Sequence, residues 1–364
     1  MSWPSRRKGE SLERRAWFAA MSVVRSSPSS QHGRFLLVVI ALVLLAALGA
    51  AAALWHLYEK PLPLREERVE ILVTAGSSAR AIAQAMRAAG VDVDADLFVA
   101  AARWNEATRR LRAGRYEITR GMRIADVIDR LVRGETLKEK LTVVEGWTFR
   151  EMRAALAAHP LLRPDSAKLT DAQLLAALGA VEPHAEGLFA PDTYVFDAGS
   201  SDLDLLRQAY RAQQGRLARA WEGRAAELPL KSPYEALILA SIVEKETGQA
   251  AERGRIAGVF VNRLRAGMLL QTDPTVIYGL GEKFDGNLRK RDLTTDTPYN
   301  TYTRPGLPPT PIALPGQASI EAALQPEPTR ALYFVARGDG TSQFSESLAE
   351  HNRAVAKYQL GGKP

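Results

Sequence analysis

The sequence predicts an α+β protein carried on a single N-terminal transmembrane helix, with small α/β modules ahead of a mixed α+β domain. Three observations predict it. An uncharged apolar run covers residues 35–55. A glycine-punctuated pattern recurs three times between residues 69 and 157. From residue 169 to 364, helical periodicity is interrupted by loops and short β-rich stretches. With 364 residues, 46% of them hydrophobic and 24% charged, the chain can build two ordinary domains besides an accessory segment.

The head, residues 1–34, holds Arg6, Arg7, Lys8, Arg14, Arg15, Arg25 and Arg34 against Glu10 and Glu13, a net +5 out of the chain's +7. The remainder is therefore close to neutral and offers no footprint for a polyanion, so no nucleic-acid partner is expected. Rich in Ser and Arg, the head is predicted to be disordered. At a rise of about 1.5 Å per residue the 35–55 run can cross a bilayer core. The basic residues before it predict a cytoplasmic N-terminus, with everything from about Glu59 onward on the far side. The stretch 48-LGAAAA-53 offers small residues for signal cleavage, but the apolar run is long for a cleaved signal. There is no cysteine, which excludes disulfides, thiolate metal sites, a thiol nucleophile and a lipidated Cys, and suits a bacterial envelope.

Residues 56–68, rich in proline and charge, are expected to form a stalk. In the next region 73-VTAGSSARAIAQAM-86, 118-ITRGMRIADVIDRL-131 and 143-VVEGWTFREMRAAL-156 align on Gly76, Gly121 and Gly146. An apolar residue stands six residues after each glycine (Ile82, Val127, Met152) and another ten residues after it (Met86, Leu131, Leu156). Each unit reads as a strand, a glycine turn and an amphipathic helix. Such units resemble the LysM-type modules that grip glycans. A linker-like stretch, 157–168, precedes the last domain, 169–364.

In that domain Ser232 and Pro233 predict a helix start. The helix then runs through Leu237, Ile238, Leu239, Ala240, Ile242 and Val243 with no polar face, and ends on Glu244, Lys245 and Glu246. A second helix is expected over about 252–266, an irregular polar stretch over 267–316, a strand-turn-strand over 332–344 and a terminal helix through His351 and Asn352. A long irregular stretch in a compact domain usually marks a functional surface. Glu244 and Glu246 lie about 200° apart around a helix, so they face different surroundings, and spacing does not say which one faces a site. A carboxyl held in a partly apolar place has its pKa raised and becomes a proton donor. No metal cluster, P-loop or G-x-S-x-G is present, and no cofactor is expected.

The stretches 240-ASIVEKETG-248, 258-GVFVNRLRAGMLLQTDPTVIYG-279, 300-NTYTRPGLPPTPIALPG-316, 332-LYFVA-336 and 186-EGLFAPDTYVF-196 together resemble the YceG-like endolytic murein transglycosylases, the MltG family. The resemblance implies cleavage of the β-1,4 bond between N-acetylmuramic acid and N-acetylglucosamine within peptidoglycan strands, leaving 1,6-anhydro ends. It places the catalytic acid on the second glutamate of E-K-E-T, Glu246. Gln271, Asp273, Asn300 and Tyr302 are expected to position sugar or stabilise charge, with Glu244, Asn262, Glu186 and Asp192 as further substrate contacts or loop anchors. The implied setting is a bacterial inner membrane, close to nascent strands, ending their polymerisation, with peptidoglycan synthases as partners. Two rivals stay open: a hydrolytic muramidase pairing Glu246 with Asp273 or Asp192, and a non-catalytic wall-binding scaffold.

Overall fold

The computed structural model describes residues 29–361; most of the basic head expected at residues 1–34 lies outside them. Helix α1 (Ser29–Glu59) runs through the apolar stretch and beyond it at both ends. Its Arg34–Ala53 segment, with a mean hydropathy of 3.0 and no buried side chains, is long and apolar enough to cross a membrane.

The three repeats fold as their periodicity predicts. Strand β1 (Arg68–Val73) turns through Gly76 into α2 (Ala79–Ala88), which is followed by α3 (Ala95–Trp104). Strand β2 (Gly114–Thr119) turns through Gly121 into α4 (Ile124–Arg133), and β3 (Lys138–Val143) through Gly146 into α5 (Phe149–Ala158). The three glycines have φ of +81°, +93° and +79°, a region L side chains rarely occupy. A Cβ on Gly76 or Gly121 would meet open space, so backbone conformation, not crowding, demands glycine there. The repeats do not make one sheet. β1 pairs with β2, whereas β3 pairs with a strand further along the chain.

The remaining elements are α6 (Asp171–Leu178), β4 (Asp192–Asp197), α7 (Asp202–Glu222), α8 (Pro233–Glu246), α9 (Ala250–Arg265) and α10 (Asp273–Leu280). They are followed by α11 (Lys290–Thr294), α12 (Gln317–Leu324), β5 (Tyr333–Ala336), β6 (Ser342–Ser345) and α13 (Leu348–Tyr358). The irregular stretch expected over 267–316 therefore holds two short α-helices and a single 3-10 turn, Gly281–Lys283. Asp273 and Pro274 open α10, because a proline in the first turn gives up only an N–H that has no helical partner anyway.

The chain divides into two compact units interleaved in sequence. One comprises Met1–Val69, Ala79–Arg110 and Ile118–Asp129. In it α2 packs on α3 around the buried Ile82, Met86, Phe98 and Ala102, and Asp94 caps α3 by accepting from the N–H groups of Asp96 and Leu97.

The other comprises Glu70–Ser78, Leu111–Glu117 and Arg130–Pro364. There β3 and β4 run antiparallel, from Lys138 opposite Asp197 to Val143 opposite Asp192, and bury Leu141, Val143, Tyr194 and Phe196 on one face. The centre of its core is α8, where every residue from Ala236 to Val243 is buried, packed by α7, α9 and α12. Its start follows the sequence signal: Ser232 accepts from the Glu235 N–H at 3.2 Å, and Pro233 occupies the first turn. Ser241, wholly buried, donates to the Ile238 carbonyl and accepts from the Ile312 N–H, so the polar atom costs the core little.

Candidate active site

Helix α8 ends at Glu246, where Thr247 turns extended with φ −146° and ψ 134°. A rail buried on all sides therefore delivers its last residue to a fixed place. Glu246 is half-buried, and one of its oxygens, Oε1, accepts a short hydrogen bond from the Thr272 hydroxyl. Removal from water raises the Glu246 pKa above the usual carboxylate range, and the negative charge of Asp273 adds to this; the Thr272 hydrogen bond and the Arg263 guanidinium oppose it. Among the described residues no hydrogen bond engages Oε2.

The partners arrive on three segments. Thr272 stands directly before α10, and its backbone is held by Thr301, whose hydroxyl accepts from the Thr272 N–H at 3.1 Å. Asp273, exposed in the first turn of α10, accepts from the Tyr302 hydroxyl at 2.5 Å. Burial, followed by the hydrogen bond to Asp273, raises the Tyr302 pKa, so this phenol stays a donor. Arg263, 8% exposed on α9, donates hydrogen bonds to the carbonyls of Leu332 (2.7 Å), Leu270 (2.8 Å) and Leu269 (3.2 Å), and its guanidinium lies over the Tyr333 ring. Burial lowers its pKa, and the neighbouring phenols and Glu246 partly offset that. Gln271 is exposed, in the left-handed region at φ +51°, with its side-chain oxygen 3.5 Å from Arg263. A non-glycine residue held there is a strained position, of the kind that collects at functional sites.

The residues nominated from sequence thus separate into two groups. Glu246, Gln271, Asp273 and Tyr302 come together. Glu244 faces elsewhere, accepting from the Gly316 N–H at 2.9 Å, as the 200° offset requires. Asn262 donates to the carbonyls of Thr329 and Ala331. Asn300, fully buried, donates toward the carbonyls of Asp292, Leu293 and Thr295 and accepts from the Tyr302 N–H, so its amide shapes the loop beside Tyr302. Asp192 is tied to Arg216 at 2.8 Å.

Glu186 is the deepest of the set, 7% exposed, accepting from the Phe149 N–H at 2.9 Å and the Tyr278 hydroxyl at 3.1 Å. Burial pushes it up to about 7. It lines a cavity of about 1210 Å³ with Phe149, His184, Tyr278 and Phe284. Glu246 is not among the lining residues, although its chain neighbour Lys245 and Pro274 of α10 are. Geometry at Glu246, not cavity size, therefore marks the candidate acid.

Sequence reasoning passed over Thr272, Arg263 and Tyr278. A threonine before Asp-Pro reads as an ordinary helix cap, and Tyr278 as a core aromatic. Arg263 did leave a signal: a charge inside the apolar run of α9 has to be buried with carbonyls around it.

A model of the YceG-like family matches residues 71–357. The endolytic murein transglycosylase of Bacillus subtilis is 34% identical over 307 residues, which is 80% of this chain and 84% of that protein. Proteins of the same name from two strains of Streptococcus pneumoniae are 26% identical over 88% of this chain, which spans 65% of their length. A crystal structure of a yceG-like protein from Listeria monocytogenes aligns with a TM-score of 0.51 at 32% identity, over 79% of this chain and 98% of that one.

Proposed function

The chain belongs to the YceG-like family, and from that premise we propose that it is a membrane-anchored endolytic lytic transglycosylase acting on peptidoglycan. The observation that carries the reading is the Glu246 carboxyl: raised by burial, held through one oxygen and open on the other. Such a group suits a reaction that needs a proton donor first and a proton acceptor second. Glu246 protonates the glycosidic oxygen as the bond between N-acetylmuramic acid and N-acetylglucosamine breaks. As a carboxylate it then takes the proton of the muramic acid C6 hydroxyl, whose oxygen closes on C1. The acid is regenerated, no water is consumed and a 1,6-anhydro end remains. A second carboxylate is required only when water or the enzyme itself attacks C1.

Gln271, Asp273 and Tyr302 are the proposed sugar contacts. Asn300, Asn262 and Glu244 hold the surrounding backbone, and the Glu186 cavity is the proposed continuation of the glycan cleft. Residues 69–157 are proposed as the LysM-like glycan grip and 169–364 as the catalytic domain. Helix α1 would anchor the protein in a bacterial inner membrane with its N-terminus cytoplasmic. That location would let the enzyme end the polymerisation of nascent strands beside peptidoglycan synthases. A hydrolytic reading would enlist Asp273, whose charge Glu246 feels. Digestion of purified, uncrosslinked glycan strands followed by mass spectrometry separates the two. Anhydro ends are expected from the wild-type chain and no cleavage from Glu246→Gln; reducing ends, one water heavier, would overturn the transglycosylase reading. Crosslinked co-purification that recovered no synthase would remove the proposed partnership alone.

A further inference from the structure

We propose that Thr272 is a positioning residue for Glu246: its hydroxyl holds Oε1 and so makes Oε2 the oxygen that carries the proton to and from the sugar. The inference rests on the role proposed above for Glu246. Thr272 occupies the N-cap of α10, with φ −117° and ψ 122°, where a threonine side chain ordinarily accepts from an N–H in the first turn. Here no such capping bond exists. The hydroxyl instead donates across 26 residues of sequence to Glu246 Oε1.

The donor is itself immobilised. Thr272 is 3% exposed; its N–H donates to the Thr301 hydroxyl, and its carbonyl accepts from the Thr275 hydroxyl at 2.8 Å. The hydroxyls of Thr275 and Thr301 lie 2.9 Å apart, joining α10 to the loop that carries Tyr302. The strained residue before it, Gln271, is pinned by its N–H to the Thr301 carbonyl at 3.1 Å. A local network thus forgoes a helix cap and tolerates a left-handed glutamine while aiming one hydroxyl at one carboxyl oxygen.

The chemical consequence follows from counting protons. A threonine hydroxyl has one proton, and while it donates that proton in the hydrogen bond to Oε1 the carboxyl's own proton resides on Oε2. In the first half of the reaction Oε2 gives its proton to the leaving oxygen as the C1–O bond breaks. In the second half Oε2 takes the C6 hydroxyl proton as the C1–O6 bond forms. Thr272 stays bonded to Oε1 throughout and stabilises the carboxylate between the two halves.

The test compares Thr272→Val, Thr272→Ser and Glu246→Gln in the full-length chain, reading kcat, KM and the pH profile on uncrosslinked glycan strands. Thr272→Val is expected to lower kcat roughly ten- to a hundredfold with KM little changed. It should also move the alkaline limb of the profile upward by about one pH unit, because a carboxylate that loses its donor holds its proton more tightly. Thr272→Ser should restore both. If Thr272→Val does not fold, Thr272→Ala is read in the same way. A limb that stays in place in the donor-less variant overturns the proposal whatever the rate, since a merely structural role lowers activity without moving a titration. Full activity of Glu246→Gln would instead remove the assignment of Glu246 itself, so the two failures are distinct.

Discussion

Glu186 and Glu246 lie in the same unit, and burial raises both carboxyls above their ordinary range, yet their surroundings differ in kind. Glu186 is satisfied on both oxygens, by the Phe149 N–H at the start of α5 and by the Tyr278 hydroxyl of α10. Glu246 is engaged on one oxygen only, at the end of a helix that cannot shift without disturbing the core. The comparison teaches that a raised pKa does not by itself identify a catalytic acid. On the proposed reading, what distinguishes Glu246 from Glu186 is one oxygen that no hydrogen bond engages among the described residues, backed by a donor that fixes the other.

The largest effect that could break this comparison is on turnover. Glu246→Gln is expected to lower glycan cleavage by roughly a hundred- to ten-thousandfold while leaving the melting temperature nearly unchanged. Glu186→Gln should do the reverse. Its amide cannot accept from both donors, so the fold should lose about 1–3 kcal/mol in urea titrations while cleavage per folded molecule stays within a few-fold. An inactive but fully stable Glu186→Gln would exchange the roles assigned to the two residues.

The next effect is on stability against pH. The folded Glu186 keeps its proton up to about 7, whereas the ordinary glutamate value is 4.5. Between those values the folded state binds a proton that the unfolded chain has released. The contribution of this group is therefore full at acid pH, declines as pH rises from about 4.5 to about 7, and is level above that, a span of about 3 kcal/mol. Denaturation midpoints across this range should show the decline in the wild type, and Glu186→Gln should remove it.

The smallest effect sharpens the contrast at Glu244, two residues from Glu246. Glu244→Gln keeps an acceptor for the Gly316 N–H, so stability should change by less than about 1 kcal/mol and turnover by no more than about twofold. A hundredfold loss of turnover there would mean that the other glutamate of the pair is the acid.

Much of the local structure was legible because it depends on near neighbours. The turn at Gly76, Gly121 or Gly146 needs a positive φ, and Ser232 and Pro233 start α8 through contacts within one turn. The helix α10 was missed because Gln-Thr-Asp-Pro reads equally well as a turn, and the whole helix is only eight residues long. The pairing of β3 with β4 was not legible either. It joins Leu141 to Tyr194 across an intervening stretch that includes two helices, and strand pairing is chosen by which apolar faces meet. At the candidate site, side-chain chemistry nominated Asn300 and Tyr302 alike. Three carbonyls engage the Asn300 amide, while the Tyr302 hydroxyl reaches Asp273.

The sequence by itself determined the apolar helix, the three strand-turn-helix units and the buried rail ending in two glutamates, since each follows from periodicity, glycine conformation and capping over a few residues. Only the tertiary structure decided which glutamate faces Thr272, which carboxyl lies satisfied beneath α5, and which threonine gives up its cap. Those choices depend on atoms tens of residues apart meeting within about 3 Å, a distance that packing sets and sequence spacing does not.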